Sequence, residues 1–490
     1  MKCIRRVRLL VAAADICMFK GYRMTKTYYK YKGYAHFDKR ISIQHGRKLA
    51  ENPDYVAKHS FYPFLHFTLK INRYKRKMKT PMERRAPKSR EIYYAAHIDR
   101  YIFQHYAHML NEKYNSYCLK HRLDELAVAY RTNKAGKCNI DFAHEAFSFL
   151  KEHSGSIVIT GDFEGFFDNL DHAYLKQCLQ TVLWVDRLED DWFAVYKNIC
   201  HYSYVDIKRI LNFNKSARDS ALPRTLRQLN HCDLAFSIKD LREEHVDWIL
   251  PLKEDRKNYG IPQGSPISGV LANVYLIEFD EKIHELCQKV GGFYRRYSDD
   301  FIVIFPNALR QDIQDQVKCI FDIKNYVSAN GRLELQLDKT KCYYYEKDCL
   351  NEIQSDGSPL VSQNQHIDFL GFSFDGKDVD LRKKTADRNN NKIMHKARRI
   401  QKMRGFIRRD GTVVRVSFKP LLKYSSKNYT SDIDKNGNER RKPTFNAYLK
   451  RSLKIFKGEP LLKSRYVNRK RHAVRLINRI IQKKKDAEKN

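Results

Sequence analysis

Residues 293–305 read FYRRYSDDFIVIF, where two adjacent aspartates interrupt an otherwise apolar and aromatic stretch. The segments FYRRY and FIVIF predict two strands of a hairpin, with Asp299 and Asp300 near its tip. Adjacent carboxylates repel each other, and a bound cation normally offsets that cost. Mg²⁺ fits this position because it is a hard ion that binds a few carboxylates together with phosphates and water.

A second apolar segment, VITGDF at residues 158–163, predicts a strand that ends in the carboxylate of Asp162. Pairing of this strand with the hairpin would gather three acids around two metal ions. Two ions about 4 Å apart can activate a hydroxyl and stabilise a leaving group in an in-line displacement. A YSDD tetrapeptide by itself is more often a solvated bend, so the prediction depends on its surroundings.

Charge is the clearest signal in the composition. The 490 residues include 93 Lys and Arg against 57 Asp and Glu, for a net charge of +36. Residues 381–490 contain 35 Lys and Arg but 8 Asp and Glu, so +27 of the total lies there. This field favours a polyanionic partner whose binding weakens as salt rises. The alternative is a solvated charged face.

The cysteines and the apolar segments bear on the compartment. Eleven cysteines occur without a C-x-x-C pair or a Cys/His cluster, which predicts a reducing environment and no structural zinc. The sequence contains no apolar run of 18 residues or more, so no transmembrane helix is expected. The first residues are similar to a signal peptide, but Asp15 interrupts them, and Met24 is an alternative start. We therefore expect a cytoplasmic protein without membrane contact.

Further motifs flank the hairpin in a fixed order. GIPQGSPISGVLANVYL occupies residues 260–276, and LELQLDKTKC and FLGF occupy residues 333–342 and 369–372. Together with GDFEGFFDNLDH at residues 161–172 and YSDD at 297–300, these segments resemble motifs A to E of reverse transcriptases. The resemblance covers roughly residues 85–376.

The resemblance implies an α+β fold with the right-hand architecture of polymerases. Residues 1–80 would form a helical N-terminal extension and residues 81–155 the fingers. Residues 156–380 would form the palm, an antiparallel sheet with helices, which carries an insertion at about residues 186–255. Residues 381–490 would form a basic, mostly helical thumb and RNA-binding region, with helices at 383–403, 445–456 and 468–485.

The resemblance also implies roles for individual acidic residues. Asp162 and Asp299 would be the principal ligands of two Mg²⁺ ions, for which Mn²⁺ can substitute. Asp300 would be a supporting carboxylate, and the backbone carbonyl of Phe163 a further ligand. Lys339 would donate a proton to the leaving pyrophosphate, and a solvated lysine is the alternative.

A second set of residues is expected to contact the nucleotide and the primer. Phe167 would be a bulky gate against the sugar of the incoming nucleotide, favouring deoxynucleotides, unless it is a core residue. Gln263 lies in a flexible loop that can approach the nucleotide, unless it is a simple turn residue. The residues expected to bind the triphosphate are Lys88, Arg90 and Arg131, and the alternative for them is a run of surface charge. The residues expected to position the primer are Phe369, Leu370 and Gly371, and the alternative for them is the edge of a core strand.

The rest of the sequence indicates which group of reverse transcriptases the chain resembles. The C-terminal region has too few acids for an RNase H site and no Cys/His nuclease cluster, and the N-A-x-x-H and V-T-G blocks of retron enzymes do not occur. The segment KGYAHFD at residues 32–38, the insertion and the basic C-terminus are similar to the defence-associated "unknown group" of bacterial reverse transcriptases. That group implies antiphage immunity, a structured noncoding RNA, dNTPs as substrates, a DNA product and, in some members, a homo-oligomer.

Several alternatives stay open at this point. A group II intron-like or retron-like reverse transcriptase, or a protein-primed or untemplated DNA polymerase, would share the same motifs. An RNA-dependent RNA polymerase shares the palm, although the bulky Phe167 speaks against it. A basic RNA-binding protein that keeps the palm only as a scaffold is the alternative outside the enzymes.

Overall fold

The computed structural model describes residues 28–71, 88–216, 223–252, 256–306, 333–336, 338–353, 365–402, 406–407, 413–414, 418, 421, 428–433 and 439–489. The chain divides into a first unit, Met1–Lys113 with Gln180–Val270, and a second unit, Tyr114–Leu179 with Leu271–Asn490. The expected α+β class is confirmed. The alternative start at Met24 lies outside the described residues. The sequence also predicts a helix at residues 311–329 and turns at Asp410-Gly411 and Asn436-Gly437, and these too lie outside the described residues.

The described helices are α1 (Ile43–Ala50), α2 (Pro53–Lys58), α3 (His97–Lys120), α4 (Asn139–Glu152), α5 (His172–Leu183), α6 (Asp190–Cys200), α7 (Ile207–Ser216), α8 (Leu226–Leu229), α9 (Ile238–Glu243), α10 (Ser268–Tyr275), α11 (Ile277–Val290), α12 (Lys383–Lys402), α13 (Phe445–Ile455) and α14 (Pro460–Lys489). The described strands are β1 (Phe64–Ile71), β2 (Lys88–Tyr94), β3 (Ser156–Asp162), β4 (Tyr204–Asp206), β5 (Phe293–Tyr297), β6 (Asp300–Phe305), β7 (Lys341–Glu346), β8 (Cys349–Ile353), β9 (Ile367–Phe369), β10 (Phe372–Phe374), β11 (Val379–Leu381), β12 (Phe406–Ile407), β13 (Val413–Val414), β14 (Tyr429–Ile433) and β15 (Glu439–Pro443). Short 3₁₀ helices occur at Thr132–Lys134, Phe166–Asp168 and Val246–Trp248.

The first unit contains a three-stranded sheet in the order β2-β1-β4. Strand β1 lies within the segment for which we expected helices, but it pairs with β2 on one edge and with β4 on the other. Strand β4 comes from the expected insertion at residues 186–255. Its Val205 packs in a core with Leu65 of β1 and with Phe37, so this part of the chain completes the sheet.

The second unit is organised around a five-stranded sheet in the order β5-β6-β3-β7-β8. All the pairings are antiparallel, as expected for a palm. Strand β3 lies in the middle, and all seven of its residues are buried. One face of the sheet packs on α4 through a core that includes Val158, Ile304, Phe147 and Leu150. The central position of β3 fixes where its last residue, Asp162, lies.

The expected C-terminal helices are confirmed, with one difference in length. Helix α14 begins at Pro460, eight residues before the expected start, and proline is favoured in the first turn of a helix because its missing N–H has no partner there. Helices α12 and α14 pack together through Ile393, Ala397, Leu476 and Ile477. Among the described residues, no helix is long and apolar enough to span a bilayer.

Candidate active site

The hairpin that carries the two aspartates turns within two residues. Strands β5 and β6 pair up to Tyr297 and Asp300, so Ser298 and Asp299 form the turn. Ser298 has a φ of 63°, in the left-handed region that few residues other than glycine adopt. Backbone strain of this kind persists where the surroundings over-determine it, and it is concentrated at functional sites. The expectation that both aspartates lie at the tip is therefore confirmed, with Asp299 in the turn and Asp300 at the start of β6.

The pairing of β3 with β6 brings the third acid to the hairpin. In this register Asp162 lies opposite Asp300, and Gly161 lies opposite Phe301. A side chain at residue 161 would overlap the Phe301 ring, so glycine is required beside the acids. The three carboxylates therefore meet at one end of the sheet.

Crowding and burial make these carboxylates hard to ionise together. Burial, and then the neighbouring Asp162 carboxylate, raise the pKa of Asp299 above its usual range. Asp300 is exposed at the end of β6, but the crowding of neighbouring atoms lowers its hydration, and this, followed by the charges of Asp299 and Asp162, raises its pKa to about 6. A positive charge placed among the three groups would relieve this repulsion.

One such charge already reaches Asp162. The ammonium of Lys339 is hydrogen-bonded to Oδ2 of Asp162, while Oδ1 is buried without a hydrogen-bond partner. Backbone contacts bring Lys339 there, because the Gln336 N–H donates to the Asp162 carbonyl (2.7 Å) and the Glu164 N–H donates to the Glu334 carbonyl (2.8 Å). The segment that resembles motif D thus runs directly beside the end of β3.

The donor set fits a divalent cation. The unpartnered Oδ1 of Asp162 and the raised pKa values of Asp299 and Asp300 both indicate negative charge in need of a partner. The two backbone bonds beside β3 flank Phe163 and use neither its N–H nor its carbonyl. Within the described ranges, no three His, Cys, Asp or Glu side chains are arranged to hold a metal by themselves. Mg²⁺ does not need such a cage, since it commonly binds one or two carboxylates together with substrate phosphates.

A buried ion pair that none of the sequence motifs predicts supports the turn. Arg296 of β5 is fully buried and forms two hydrogen bonds with Asp280, through Nε (2.8 Å) and Nη2 (2.5 Å). Its Nη1 donates to the carbonyl of Ser298 at 3.0 Å and to Oδ1 of Asn273 at 3.2 Å. Burial disfavours the charge of Arg296, but Asp280 outweighs it and raises the pKa of the guanidinium. Arg296 therefore holds the turn residue next to Asp299.

The sequence feature that points to a buried ion pair is Arg296 in the strand segment FYRRY. An arginine in the middle of a β-rich segment, two residues from an inward-facing tyrosine, must either lie at an edge or have a buried counter-charge. Tyr294 is the inward-facing tyrosine, and its hydroxyl also donates to Asp280, at 2.6 Å. The partner itself could not be identified, because Asp280 lies in α11 and has no sequence pattern that links it to β5.

Phe167 lies just beyond Asp162 in a 3₁₀ helix. Its ring contacts that of Phe166, with centroids 5.4 Å apart, and it is half-buried while Phe166 is buried. An entirely packed core residue would be enclosed, so the exposed part of the ring is consistent with a gate. The role of Phe167 as a gate remains a prediction.

Gln263 and two of the expected triphosphate contacts, Lys88 and Arg90, belong to the first unit. The backbone N–H of Tyr93 in β2 donates to the carbonyl of Gln263 at 2.9 Å, so this loop lies against the strand that contains Lys88 and Arg90. Gly264 has a φ of 126°, and a Cβ there would lie 2.5 Å from the Tyr93 carbonyl oxygen. Glycine is therefore required for the close approach of the two backbones.

The helix after this loop differs from our expectation. The pair Ser265-Pro266 predicts an N-cap followed by a first helical residue, because serine caps helices and proline is favoured in their first turn, but α10 begins at Ser268. Residues 265–268 instead form a turn in which the Ser268 N–H donates to the Ser265 carbonyl at 3.4 Å. The Ser268 hydroxyl donates to the carbonyl of Pro262 at 2.7 Å, which ties the start of the helix to the loop.

The contacts that the structure gives Arg131 lie within its own loop and the neighbouring helix. Its guanidinium is buried and donates to Asp124 through Nη2 (2.5 Å), to Asn115 through Nε (2.8 Å) and to the Asp124 and Ala127 carbonyls through Nη1. It also lies over the ring of Tyr114. These bonds and its burial show that Arg131 stabilises its own loop, while its expected contact with a triphosphate remains a prediction.

The FLGF segment forms a tight turn between β9 and β10. Leu370 and Gly371 both have positive φ values, 46° and 94°, as a two-residue hairpin turn requires. Phe369 lies in the core, and the Leu370 carbonyl accepts a hydrogen bond of 2.7 Å from Asn139. The turn is therefore rigid, while its role in positioning a primer remains a prediction.

Comparison with known proteins identifies the class. The family model described as "Reverse transcriptase (RNA-dependent DNA polymerase)" matches residues 110–374, which is more than half of the chain. The chain belongs to this family.

Solved structures of telomerase also resemble the chain, at low identity. The apo telomerase of Candida tropicalis truncated from its C-terminal domain matches with a TM-score of 0.36 and 12% identity, over 70% of this chain and 61% of that one. The telomerase of Candida albicans in complex with a TWJ fragment of telomeric RNA matches with a TM-score of 0.35 and 12% identity, over 90% of this chain and 65% of that one. The chain thus spans less than two thirds of the length of these structures, and likeness at this level carries no conclusion about function.

The pairing of Lys339 with Asp162 generates a prediction about metal affinity. We expect Lys339→Gln to bind Mn²⁺ more tightly, by about fivefold, because the ammonium no longer competes for Asp162 and a pair with a partly exposed lysine contributes about 1 kcal/mol. Mn²⁺ titration followed by electron paramagnetic resonance measures this affinity. Lys341→Gln is the matched control, since Lys341 is paired with Glu352 at 2.7 Å. Equal changes in both variants would show that only the general charge matters.

The buried pair generates a prediction that separates stability from positioning. Arg296→Met should destabilise the protein by about 3–5 kcal/mol, because it leaves Asp280 buried without its partner. The double variant Arg296→Met with Asp280→Asn should regain most of that stability, while kcat stays about 100-fold low because the Ser298 carbonyl loses its donor. Thermal unfolding and primer extension measure the two effects. A double variant that recovers both would contradict the positioning role.

Proposed function

We propose that the protein is an RNA-directed DNA polymerase that copies a structured noncoding RNA as part of antiphage defence. The observation that carries the polymerase part is the β3–β6 register, which sets Asp162 opposite Asp300 beside the turn that contains Asp299. Membership of the reverse transcriptase family supports the same reading. The defence role rests on the resemblance of residues 32–38, the segment at 186–255 and the basic C-terminus to the defence-associated group.

In this proposal Asp162 and Asp299 hold two Mg²⁺ ions, with Asp300 and the Phe163 carbonyl in support, and Mn²⁺ can substitute. Reverse transcriptase domains generally use divalent metal ions. Bound there, such ions lower the pKa of a primer hydroxyl and stabilise the charge on a leaving phosphate. A cation held by Asp162 would compete with the Lys339 ammonium for this carboxylate, and Lys339 would then be placed to donate a proton to the leaving pyrophosphate.

The other proposed contacts select and hold the substrates. Phe167 excludes the 2′-hydroxyl of a ribonucleotide, and Gln263 contacts the incoming dNTP. Lys88 and Arg90 bind the triphosphate, and Arg90 is an exposed residue of β2. The turn at Leu370 and Gly371 positions the primer.

The proposed partners follow from the charge of the chain. The excess of +27 in residues 381–490 suits an RNA and the DNA product, and we propose that the protein acts in the cytoplasm, with a homo-oligomer as an option. Group II intron-like, retron-like and protein-primed or untemplated synthesis are the alternative readings. Sequencing of the RNA and DNA that copurify with the protein distinguishes them. An intron boundary or a DNA product without a template match would contradict the proposed template.

The catalytic acids give the direct test of the proposed activity. Asp162→Asn and Asp299→Asn should each lower primer extension on an RNA template by at least ~100-fold, because each removes a charge that a metal ion requires. Glu346→Gln, which neutralises an exposed carboxylate at the far end of β7, is the matched control and should keep full activity. Phage protection in cells should follow the same pattern. Synthesis that persists in both aspartate variants would refute the polymerase reading.

Phe167 gives a separate test of the sugar preference. Phe167→Ala should raise the relative use of NTPs over dNTPs, roughly 10- to 100-fold in the ratio of kcat/KM values, because the clash with the 2′-hydroxyl is removed. Phe167→Tyr keeps the ring and should retain the preference for dNTPs. Single-nucleotide incorporation assays measure both ratios. A wild-type enzyme that prefers NTPs would favour an RNA polymerase instead.

A further inference from the structure

Helices α12, α13 and α14 enclose a cavity of about 240 Å³ that the proposed active site does not use. Its floor is apolar and includes the buried side chains of Leu381, Ile393 and Leu449. Sites for whole small molecules usually measure roughly 300–1,000 Å³, so this cavity suits one flat group better than a complete cofactor.

Amide side chains line the walls of the cavity. Asn389 and Asn390 come from α12, Asn446 from α13 and Asn468 from α14. Some of their polar atoms have partners within the protein: Asn446 donates to Asn428 Oδ1 (2.6 Å), Asn468 donates to Ser464 Oγ (3.3 Å), and Asn390 Oδ1 is bonded to His472 (3.0 Å). An amide has both donors and an acceptor, so the atoms outside these bonds supply the kind of group that pairs with the edge of a nucleobase. The half-buried ring of Phe445 also borders the cavity, and aromatic rings stack on unpaired bases.

Positive charge surrounds the opening. Arg465 is paired with Asp380, with 2.6 Å between Nη2 and Oδ2, but Arg469 has no acidic partner among the described residues. The Arg469 guanidinium lies over the Tyr466 ring, 4.1 Å from its centroid, and its Nε is buried without a hydrogen-bond partner. None of the described residues that line the cavity is acidic.

The charge continues along the two longer helices. Helices α12 and α14 together contain 19 Lys and Arg but only 3 Asp and Glu. Such a surface attracts a phosphate backbone, and an unpaired base on that backbone would find the cavity beside it. The shape thus suits a base, and the surrounding charge suits the strand to which the base belongs.

We propose that the cavity between α12, α13 and α14 binds one unstacked base of an RNA strand whose phosphates lie on the basic helices around it. The base rests on the apolar floor, its edge bonds to the asparagine amides, and Arg469 contacts a phosphate or the base itself. The inference takes RNA as the partner from the proposed function, but it concerns a site separate from the polymerase acids.

The test compares two RNAs and a cavity-filling variant. Ala386 lines the cavity from α12, so Ala386→Phe fills it. The probes are a fluorescein-labelled single-stranded RNA of mixed sequence and a strand of equal length whose sugars carry no bases, titrated by fluorescence anisotropy. We expect Ala386→Phe to weaken binding of the base-carrying RNA about tenfold and to leave the abasic strand unchanged. Equal weakening of both strands, or of neither, would overturn the proposal.

A second pair of variants covers the case in which Ala386→Phe does not fold, as judged by thermal unfolding. Arg469→Gln and Lys470→Gln each remove one charge from α14, but only Arg469 lines the cavity. Both should lower the salt dependence of RNA binding alike, whereas only Arg469→Gln should reduce the preference for the base-carrying strand. The same preference in both variants would overturn the proposal.

Free nucleotides are the other source of a base. AMP, CMP, GMP and UMP at millimolar concentration should not displace the RNA, and displacement of the RNA by them would assign the cavity to a free nucleotide instead. Primer extension by the wild-type protein is measured in parallel. If primer extension fails while the protein still prefers the base-carrying strand, the proposed function is refuted and the cavity assignment stands. If primer extension succeeds but the preference for the base-carrying strand is absent, only the cavity assignment is refuted.

Discussion

The candidate site depends on the backbone register between β3 and β6. Because side chains alternate across a strand, a slip of one residue would move Asp162 to the other face of the sheet and replace it with an apolar or glycine residue. The register is secured by burial, since every residue of β3 is buried between β6 and β7. The hydrophobic free energy of that burial offsets the repulsion of three carboxylates held at the end of the same strands.

Two positively charged side chains, Arg296 and Lys339, stabilise this arrangement in different ways. Arg296 is fully buried and holds Asp280 through two hydrogen bonds, so its removal leaves a buried charge and the pair is a permanent part of the fold. Lys339 pairs with Asp162, but 42% of its side chain is exposed, so solvent or another cation can replace it at low cost. The first pair fixes the position of the turn, and the second leaves Asp162 free to exchange its partner. The proposed function, in which charged substrates bind and leave, would need both properties.

Much of the second unit could be predicted from local sequence. Local sequence predicts the hairpin at residues 293–305, the strand ending at Asp162 and the helices from Lys383 onward. Each of these segments has either a regular spacing of hydrophobic residues or a clear turn signal, and such patterns determine local structure. The acids could be grouped because their motifs occur in a recognisable order. Only the residues within those motifs could be assigned in this way.

The parts that could not be predicted depend on contacts between distant residues. Strand β1 and the segment at residues 186–255 meet in one sheet, and neither sequence contains a signal that names the other as its partner. Arg131 lies in a motif that suggests a phosphate contact, but its acceptors Asp124 and Asn115 are specified only by the folded loop. The Arg296–Asp280 pair could not be predicted for the same reason, since a charged side chain can be buried only with a partner, and the sequence does not show which residue that partner is.

The central claim is that Asp162 and Asp299 together bind a divalent cation in place of the Lys339 ammonium. Anomalous diffraction from crystals grown with Mn²⁺, an RNA template and a dideoxy-terminated DNA primer with the next dNTP tests this directly. We predict an anomalous peak in contact with carboxylate oxygens of both Asp162 and Asp299, with Lys339 turned away from Asp162. A peak that contacts neither aspartate, with Lys339 still bound to Asp162, would contradict the account.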